Sequence, residues 1–381
     1  MKKSKFTGAA ARSVTATAAR SAAHSHSAPT TTTRRHHVLS YVKEAVTGDM
    51  PRCRTQLDVS PLAAFLDTAL RGVSMVVFAS NPLTGVVLLA AVTLASAWLG
   101  VTVMVGVFAA TAAAKALRLE RDSCRQGFFG YNGAITGAGL GTFLAPEWDL
   151  AALALVAVAA ALTAPVMAVL LRAMTDVWGV RPLTLPFNLV MLGFVAALVS
   201  VERGHAGLLI GHSSKPVATA VDSTLRSTPD GGELGLVTGV AEAVIHGAGQ
   251  LFFLPGTMSG LLVLLSLALC SRLLASLAVL GSVTAVASAQ VIGVDGFLTH
   301  FGLVGMNGLL VCLAVGGVCL RPSVRSVALG VAGAALSPLG LVALAPLVAL
   351  FGMPTAMSLP FCLIVPVLLL LHETSPALKR A

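Results

Sequence analysis

The sequence predicts an all-α polytopic membrane protein, and three observations indicate this: its composition, its charge-free tracts and an internal repeat. Of the 381 residues, 56% are hydrophobic and only 11% are charged, and the mean hydropathy is +0.88. Soluble domains typically carry about 25% charged residues. Residues 73–114 contain no charged side chain. Because a spanning helix needs roughly 20 apolar residues, this tract alone has room for two spans.

The internal repeat relates the two halves of the chain. A G-x-N-G step occurs at Asn132 and again at Asn307, 175 positions later (307 − 132). The segment LTLPF at 183–187 is matched by MSLPF at 357–361, at an offset of 174. We therefore predict about ten transmembrane helices in two inverted five-helix repeats, each with a short re-entrant or tilted half-helix.

The first repeat is predicted to contain five spans and one short or interrupted segment. Gly, Ala, Val and Leu dominate these tracts, as close packing of helices in lipid favours. In chain order the predicted segments are 64–81, 83–100, 101–117, the glycine-rich 127–144, 150–172 and 184–201.

The charge distribution sets the predicted domain boundaries. Residues 1–43 hold eight Lys or Arg and no acid, so they account for most of the net charge of +9. We expect a disordered tail there, although an organellar transit peptide has the same bias. A basic N-terminus predicts a cytoplasmic N-terminus in the plasma or inner membrane, and the nearly neutral remainder predicts no nucleic-acid partner. The predicted units are the tail 1–54, the first repeat 55–203, a polar connecting segment 204–232, the second repeat 233–376 and a short C-terminal tail 377–381.

Polar side chains inside the apolar tracts are few, and all are neutral. Coupled carriers commonly use buried carboxylates. The absence of carboxylates from these tracts therefore favours passive movement of a neutral solute. The polar positions are Asn81, Asn132, Thr184 and Asn188 in the first half, and Gln250, Asn307 and Ser358 in the second.

The proline motifs predict an edge of hydrogen-bond acceptors at membrane depth. Thr184 and Ser358 each precede a proline by two positions, and proline leaves nearby carbonyls without a helical donor. Such backbone survives in a membrane only inside the protein or along an aqueous path. An uncharged solute rich in N–H donors suits this edge. Two alternatives stay open: the two hydroxyls bond their own helix carbonyls, and Asn132 and Asn307 bond the backbone of a broken helix.

Enzymatic chemistry has little support in the sequence. The six cysteines include no C-x-x-C pair and indicate neither a disulfide framework nor a metal site. Glu242, His246 and Gln250 follow one helical face, but no nucleophile or metal set accompanies this acid–base pair. We predict that the protein is not an enzyme and needs no cofactor.

Six motifs, in order, resemble the urea transporter family. The resemblance covers about residues 55–375, and the doubled order makes it specific. The motifs are LRGVSMVVFASNPLTG (70–85), GFFGYNG (127–133), LTLPFN (183–188), GAGQLFF (247–253), GMNGLL (305–310) and SLPFCL (358–363).

This resemblance implies a homotrimer in the lipid bilayer, whose protomers each pass urea in single file through a slot with apolar faces and an oxygen edge. It also implies roles for individual residues. The implied pore-lining residues are Phe78 and Phe253 stacking on urea near the mouths, Tyr131 with Ile135 and Met306 with Leu310 narrowing the centre, Thr184 and Ser358 on the oxygen edge, and Gln250 and Met75 at equivalent mouth positions. The residues predicted to shape the pore are Asn81, Asn132, Asn307, Phe187 and Phe361.

Four positions depart from the family pattern. Met75 replaces a glutamine, Met306 an aromatic residue, Ile135 a leucine, and Gly256-Thr257 the second Asn-Pro. Because methionine is flexible, we expect a wider slot on the second-repeat side. The alternatives are therefore a channel of the same fold for a short amide, a methylurea or ammonia, and, with less support, a coupled carrier.

Overall fold

The computed structural model describes residues 60–144, 148–204 and 233–375, and all regular structure within them is helical. The predicted all-α class is confirmed. The predicted N-terminal tail (1–54), residues 205–232 of the connecting segment and the predicted C-terminal tail (377–381) lie outside the described residues.

The described part of the first repeat has seven helices. They are α1 (Pro61–Met75), α2 (Pro82–Ala95), α3 (Ala97–Ala116), α4 (Arg121–Arg125), α5 (Gly130–Phe143), α6 (Leu150–Trp178) and α7 (Leu185–Gly204).

The second repeat has the same series. Its helices are α8 (Glu233–Gly249), α9 (Thr257–Cys270), α10 (Arg272–Ile292), α11 (Gly296–His300), α12 (Leu303–Leu313), α13 (Val324–Ala349) and α14 (Leu359–Thr374). A 3₁₀ turn (Gln250–Phe252) follows α8, and a π-helical segment (Ala314–Cys319) follows α12.

The helix boundaries recur at the spacing of the sequence repeat. Helices α2 and α9 begin at Pro82 and Thr257, which are 175 positions apart (257 − 82). Helices α7 and α14 begin at Leu185 and Leu359, which are 174 positions apart (359 − 185). The helices therefore start at equivalent positions in both halves.

Several helices are suited to crossing a membrane. Within the described residues, α3, α6, α10 and α13 are each long and apolar enough to span a bilayer. The α8–α9 pair, bent by 78°, is a fifth, broken candidate. Four shorter apolar helices, α2, α7, α14 and α12 with its π-helical end, accompany them. The chain is thus a multi-pass membrane protein, while the count of about ten spans stays a prediction.

Two predicted boundaries were wrong. The second and third predicted segments divide at Ser96, not at 100–101, because the Ser96 hydroxyl accepts a hydrogen bond from Leu99 N (3.2 Å) and starts α3. The first segment ends at Met75 rather than at 81, because the chain turns before the Asn81 cap. Both signals are single polar residues inside a long apolar run, which hydropathy does not resolve.

Glycines allow α3 to lie directly against α5, and α10 against α12. A Cβ atom on Gly106 would stand 2.2 Å from the Gly133 carbonyl oxygen, and one on Gly281 would stand 2.3 Å from that of Gly308. Gly133 and Gly308 are the last residues of the two G-x-N-G steps. These contacts bury α5 and α12 in the interior of the protein.

Candidate functional site

The hydroxyls of Thr184 and Ser358 are presented by two equivalent turns. Leu183 and Met357, the preceding residues, both have left-handed backbones, with φ of 53° and 46°. This conformation is costly for residues other than glycine. Helices α7 and α14 begin directly after the hydroxyl residues, at Leu185 and Leu359. The strained turn fixes the point at which each hydroxyl enters the protein interior.

Asn132 and Asn307 hold these turns. Asn307 Nδ2 donates to the Met357 carbonyl (2.8 Å), and its Oδ1 accepts from Phe361 N (3.2 Å). Asn132 makes the equivalent bonds, from Nδ2 to the Leu183 carbonyl (3.5 Å) and from Phe187 N to Oδ1 (3.2 Å). Each fully buried amide therefore bridges the strained residue and the first turn of the following helix.

The two turns meet each other. Thr184 Oγ1 and Ser358 Oγ are 2.8 Å apart, although 174 positions separate them in the sequence. Asn188 Nδ2 donates to Ser358 Oγ (3.0 Å) and to the Thr184 carbonyl (2.9 Å). Cys362 Sγ lies 3.1 Å from Thr184 Oγ1. Two polar side chains from each repeat thus join a single buried network.

The Asn188 amide sets a direction for this network. Because Asn188 Nδ2 donates to Ser358 Oγ, the Ser358 hydroxyl can donate its own hydrogen bond to Thr184 Oγ1. The Thr184 hydroxyl can then donate to Cys362 Sγ. In that arrangement each hydroxyl oxygen keeps one lone pair. Asn188 Oδ1 itself is a buried acceptor without a hydrogen-bond partner.

A narrow cavity of about 30 Å³ lies against the two hydroxyls. It has room for one or two waters, so a solute passing it must shed most of its hydration. Its walls are otherwise almost entirely apolar. Seven of the ten predicted pore-lining residues border it: Ile135, Thr184, Gln250, Phe253, Met306, Leu310 and Ser358. The other lining residues are Val76, Phe187, Leu251, Leu303 and Met357.

The other three predicted pore-lining residues lie outside the lining of this cavity. Phe78 packs edge-on against Phe361, with ring centroids 6.2 Å apart, just as Phe253 packs against Phe187 at the same distance. The Tyr131 hydroxyl donates to the Leu183 carbonyl. Met75 ends α1. Among the residues predicted to shape the pore, Phe187 lines the cavity, whereas Asn81, Asn132, Asn307 and Phe361 are not among its lining residues.

Gln250 is the amide at one side of the cavity. Its Nε2 donates to the Phe301 carbonyl (2.8 Å), which leaves Oε1 as the available acceptor. One turn earlier, His246 Nε2 lies 3.3 Å from the Thr257 hydroxyl, and its Nδ1 lies 2.8 Å from the His300 carbonyl. His246 is therefore tied to backbone and side chain rather than placed among the residues that border the cavity.

Sequence reasoning missed Asn188 and Cys362 as members of the site. The position of Asn188 inside an apolar tract was visible, and Cys362 occupies the equivalent place in the second repeat, 174 positions on (362 − 188). Pairing every polar residue with its repeat equivalent would have found both. Nothing in the pattern singled out Val76, Leu251 or Leu303 among many apolar neighbours.

A polytopic helical protein with a narrow, apolar, hydroxyl-edged cavity at the junction of two repeats belongs to the class of membrane transport proteins. Comparison with known families makes this specific, because the urea transporter family matches residues 66–373. The chain belongs to the urea transporter family, and it is a transport protein rather than an enzyme.

Individual relatives are similar along most of their length. Urea transporter 1 of Ovis aries is 26% identical over 336 residues, which cover 88% of this chain and 84% of the relative. Urea transporter 1 of Mus musculus is 27% identical over 346 residues, which cover 90% and 85%. Membership of this family supports transport of urea across a membrane.

Proposed function

We propose that this protein conducts urea down its concentration gradient, in the manner of a channel, through the cavity between the two repeats. The observation that carries the proposal is the pair of hydroxyls, Thr184 and Ser358, 2.8 Å apart on the wall of an otherwise apolar cavity. Apolar walls exclude ions, and the oxygens accept the N–H groups of a flat, neutral solute.

The energetics favour this arrangement. Urea entering the cavity loses hydrogen bonds to water, and each donor left unpaired costs about 1–3 kcal/mol. The Thr184 and Ser358 oxygens each keep a lone pair for such donors when Asn188 donates into the network. Because a few weak bonds form in turn along the path, urea both enters and leaves.

The remaining features of the proposal come from the family resemblance and from the sequence. We infer a homotrimer of such protomers in the plasma or inner membrane, with inverted repeats and a cytoplasmic N-terminus. Met306 beside Leu310 makes one wall flexible, so a short amide or a methylurea is the second candidate solute.

The proposal is tested by urea uptake into proteoliposomes containing purified Thr184→Val or Ser358→Ala protein. We expect either change to lower urea flux by about 5- to 100-fold, because one donor of the solute then passes the cavity unpaired. Thr163→Val is the matched control. Its hydroxyl donates to the Ala160 carbonyl (2.6 Å) and is buried away from the cavity, so its flux should match the wild type.

Wild-type flux in Thr184→Val and Ser358→Ala would refute the proposed oxygen edge. A second arm addresses mechanism: urea flux should be unchanged when a proton or sodium gradient is collapsed, and loss of flux would indicate a coupled carrier. Competition by methylurea and acetamide in the same assay would identify a preferred solute other than urea.

A further inference from the structure

A second cavity lies at the end of α3, away from the hydroxyl-lined one. Its volume is about 380 Å³, which is within the range of small-molecule pockets. It is lined by Lys115, Arg118, Arg121 and Arg125, together with Ala64, Thr68, Leu119 and Cys124. Four cations therefore surround one cavity with a partly apolar floor.

Among the described residues, no carboxylate forms an ion pair with these arginines, although Glu120 and Asp122 lie in the same stretch. In the described residues, no ion pair within 4.0 Å includes Arg118, Arg121 or Arg125. Glu120 caps α4, with its Oε2 accepting from Ser123 N (3.2 Å). Asp67 pairs with Arg71 at 3.0 Å. The three arginine side chains are exposed, and no other side chain in the described part of the chain forms an ion pair with them.

The backbone at Arg118 is strained, and the repeat shows what would relieve the strain. Arg118 has φ of 52°. Its equivalent in the second repeat is Gly293, with φ of 79°, at the same position after α10. The two chain reversals share their hydrogen bonds: Leu119 N donates to the Ala114 carbonyl (3.0 Å), and Val294 N to the Ala289 carbonyl (2.9 Å). A left-handed residue at such a helix end is ordinarily glycine.

The other cations have also lost their charge in the second repeat. Lys115, Arg121 and Arg125 correspond to Gln290, Gly296 and His300 at the 175-residue offset. The shared backbone therefore requires no cation at any of the four positions. A strained, non-glycine residue that the fold does not need is a reason to look for a function.

The cavity lies beside the C-terminal end of a candidate membrane span. Helix α3 is one of the candidate membrane spans, and the cations follow its C-terminal end. Clusters of cations at the end of a membrane span attract anionic headgroups. Arginine is suited to phosphate because its planar guanidinium donates two parallel hydrogen bonds.

We propose that the cavity lined by Lys115, Arg118, Arg121 and Arg125 binds a phosphate group through the three arginines, as an anionic lipid headgroup or as free phosphate. The apolar floor of Ala64 and Leu119 accommodates the glycerol part of a lipid. This site is independent of the proposed urea path.

The test measures the midpoint of thermal unfolding of the purified full-length protein in a neutral detergent. Dioctanoyl phosphatidic acid is titrated in one arm, inorganic phosphate at constant ionic strength in a second, and dioctanoyl phosphatidylcholine in a third. We expect phosphatidic acid to raise the midpoint of the wild type, and phosphatidylcholine to raise it little. An equal rise with inorganic phosphate would identify free phosphate as the ligand.

Two variants and one control complete the experiment. Arg118→Gly should raise the unliganded midpoint, because glycine suits the left-handed backbone, and yet weaken phosphatidic acid binding about fivefold. Arg118→Gly with Arg121→Gln and Arg125→Gln should weaken it on the order of 100-fold. The control Arg272→Gln with Arg321→Gln and Arg325→Gln removes the same number of charges elsewhere and should bind as the wild type does.

The proposal is overturned if neither phosphatidic acid nor phosphate raises the wild-type midpoint. It is also overturned if the pocket variants and the control lose affinity equally, since the effect would then be general surface charge. Unchanged affinity for phosphatidic acid in Arg118→Gly, with a raised unliganded midpoint, would show that Arg118 does not bind the ligand. The proposal would then be overturned, because it depends on the strained arginine.

Discussion

The turn between α1 and α2 (residues 76–81) and the turn between α8 and α9 (residues 250–256) have the same backbone conformation. Different side chains stabilise it in the two turns. Phe78 and Phe253 occupy equivalent left-handed positions, with φ of 61° and 59°. In the first turn, Ser74 Oγ on α1 donates to the Ala79 carbonyl (2.6 Å). In the second, Ser259 Oγ on α9 donates to the Leu254 carbonyl (3.1 Å). The conformation of the phenylalanine is common, while the side chains that stabilise it come from opposite sides.

The chemistry around the two turns has diverged further. Arg71 and Asp67 form a buried ion pair beside the first turn, with the Arg71 guanidinium donating to the Ser80 carbonyl (2.7 Å). Their equivalents beside the second turn are His246 and Glu242. Met75 and Gln250 are also equivalent, and only Gln250 borders the cavity. The two repeats therefore share their backbone geometry at these turns, while the polarity of the side chains around each turn differs.

The largest expected difference between the repeats is in the stability lost when Asn132 or Asn307, the asparagines that hold the two strained turns, is replaced. We expect Asn307→Ala to lower the free energy of unfolding by about 3 kcal/mol and Asn132→Ala by about 2 kcal/mol, because each leaves buried backbone groups unpaired where water cannot replace the amide. The Asn307 bond to the Met357 carbonyl is shorter (2.8 Å) than the Asn132 bond to the Leu183 carbonyl (3.5 Å). Thermal unfolding in detergent measures both.

Asn307→Asp separates the two halves of this effect, since it keeps the Oδ1 acceptor for Phe361 N and removes the donor to Met357. It should also be destabilising. If Asn132→Ala costs more than Asn307→Ala, the ranking by hydrogen-bond length is wrong.

The next difference concerns flux at the two mouths. We expect Gln250→Met to lower urea flux about fivefold, because it removes an amide acceptor worth roughly 1 kcal/mol from the cavity wall. Met75→Gln should leave flux within twofold, since Met75 does not line the cavity. Stopped-flow urea permeability of proteoliposomes, normalised to protein that remains monodisperse on size exclusion, is the measurement. Equal losses in the two variants would show that both mouths contact the solute.

A smaller difference concerns the helix caps. Asn81 Oδ1 accepts from Leu83 N (3.0 Å) and Thr84 N (3.4 Å) at the start of α2, whereas Gly256 makes no side-chain cap for α9. Asn81→Ala should lower the free energy of unfolding by about 1 kcal/mol. Gly256→Ala should lower it by about half as much, because alanine suits an N-cap less well than glycine but no side-chain hydrogen bond is lost. Similar losses in both variants, measured by thermal unfolding, would mean that the cap bond contributes little.

These comparisons also show what the sequence could predict. The doubled motifs predicted the helical class, because each motif carries a local cause such as proline, glycine or a cap, whereas the pore-lining roles came from the family resemblance and stay a prediction. They did not predict the joining of Thr184 to Ser358, since a bond across 174 positions depends on how the two repeats pack. They also missed the break at Ser96, where one capping hydroxyl decides the boundary within an apolar run.

The basic cavity shows a further reason why sequence reasoning stops short. The cations of residues 115–125 were visible, but Glu120 and Asp122 in the same stretch made the charge equivocal. The φ angle of Arg118, compared with that of the equivalent Gly293, shows that this arginine adopts a left-handed backbone that residues other than glycine disfavour. A count of charged residues carries no information on the backbone conformation of each one.

The smallest expected effect is a pH dependence confined to the second repeat. His300 ends α11, outside the candidate spans, and its ring lies 5.3 Å from that of His246 and 3.9 Å from the Glu242 carboxylate. Burial, together with the neighbouring His246, lowers the pKa of His300 below its ordinary value of 6.5, and Glu242 opposes this shift. The unfolded state therefore binds more protons as the pH falls through 6.5, so stability should decline there and be fully present at higher pH.

The equivalent residue in the first repeat is Arg125, an arginine rather than a histidine. We accordingly expect His300→Gln to flatten the dependence of the unfolding midpoint on pH between 7.5 and about 5, while Arg125→Gln leaves its slope unchanged. The comparison is made in one detergent at constant ionic strength. A slope that survives in His300→Gln would assign the proton uptake to another group and contradict this prediction.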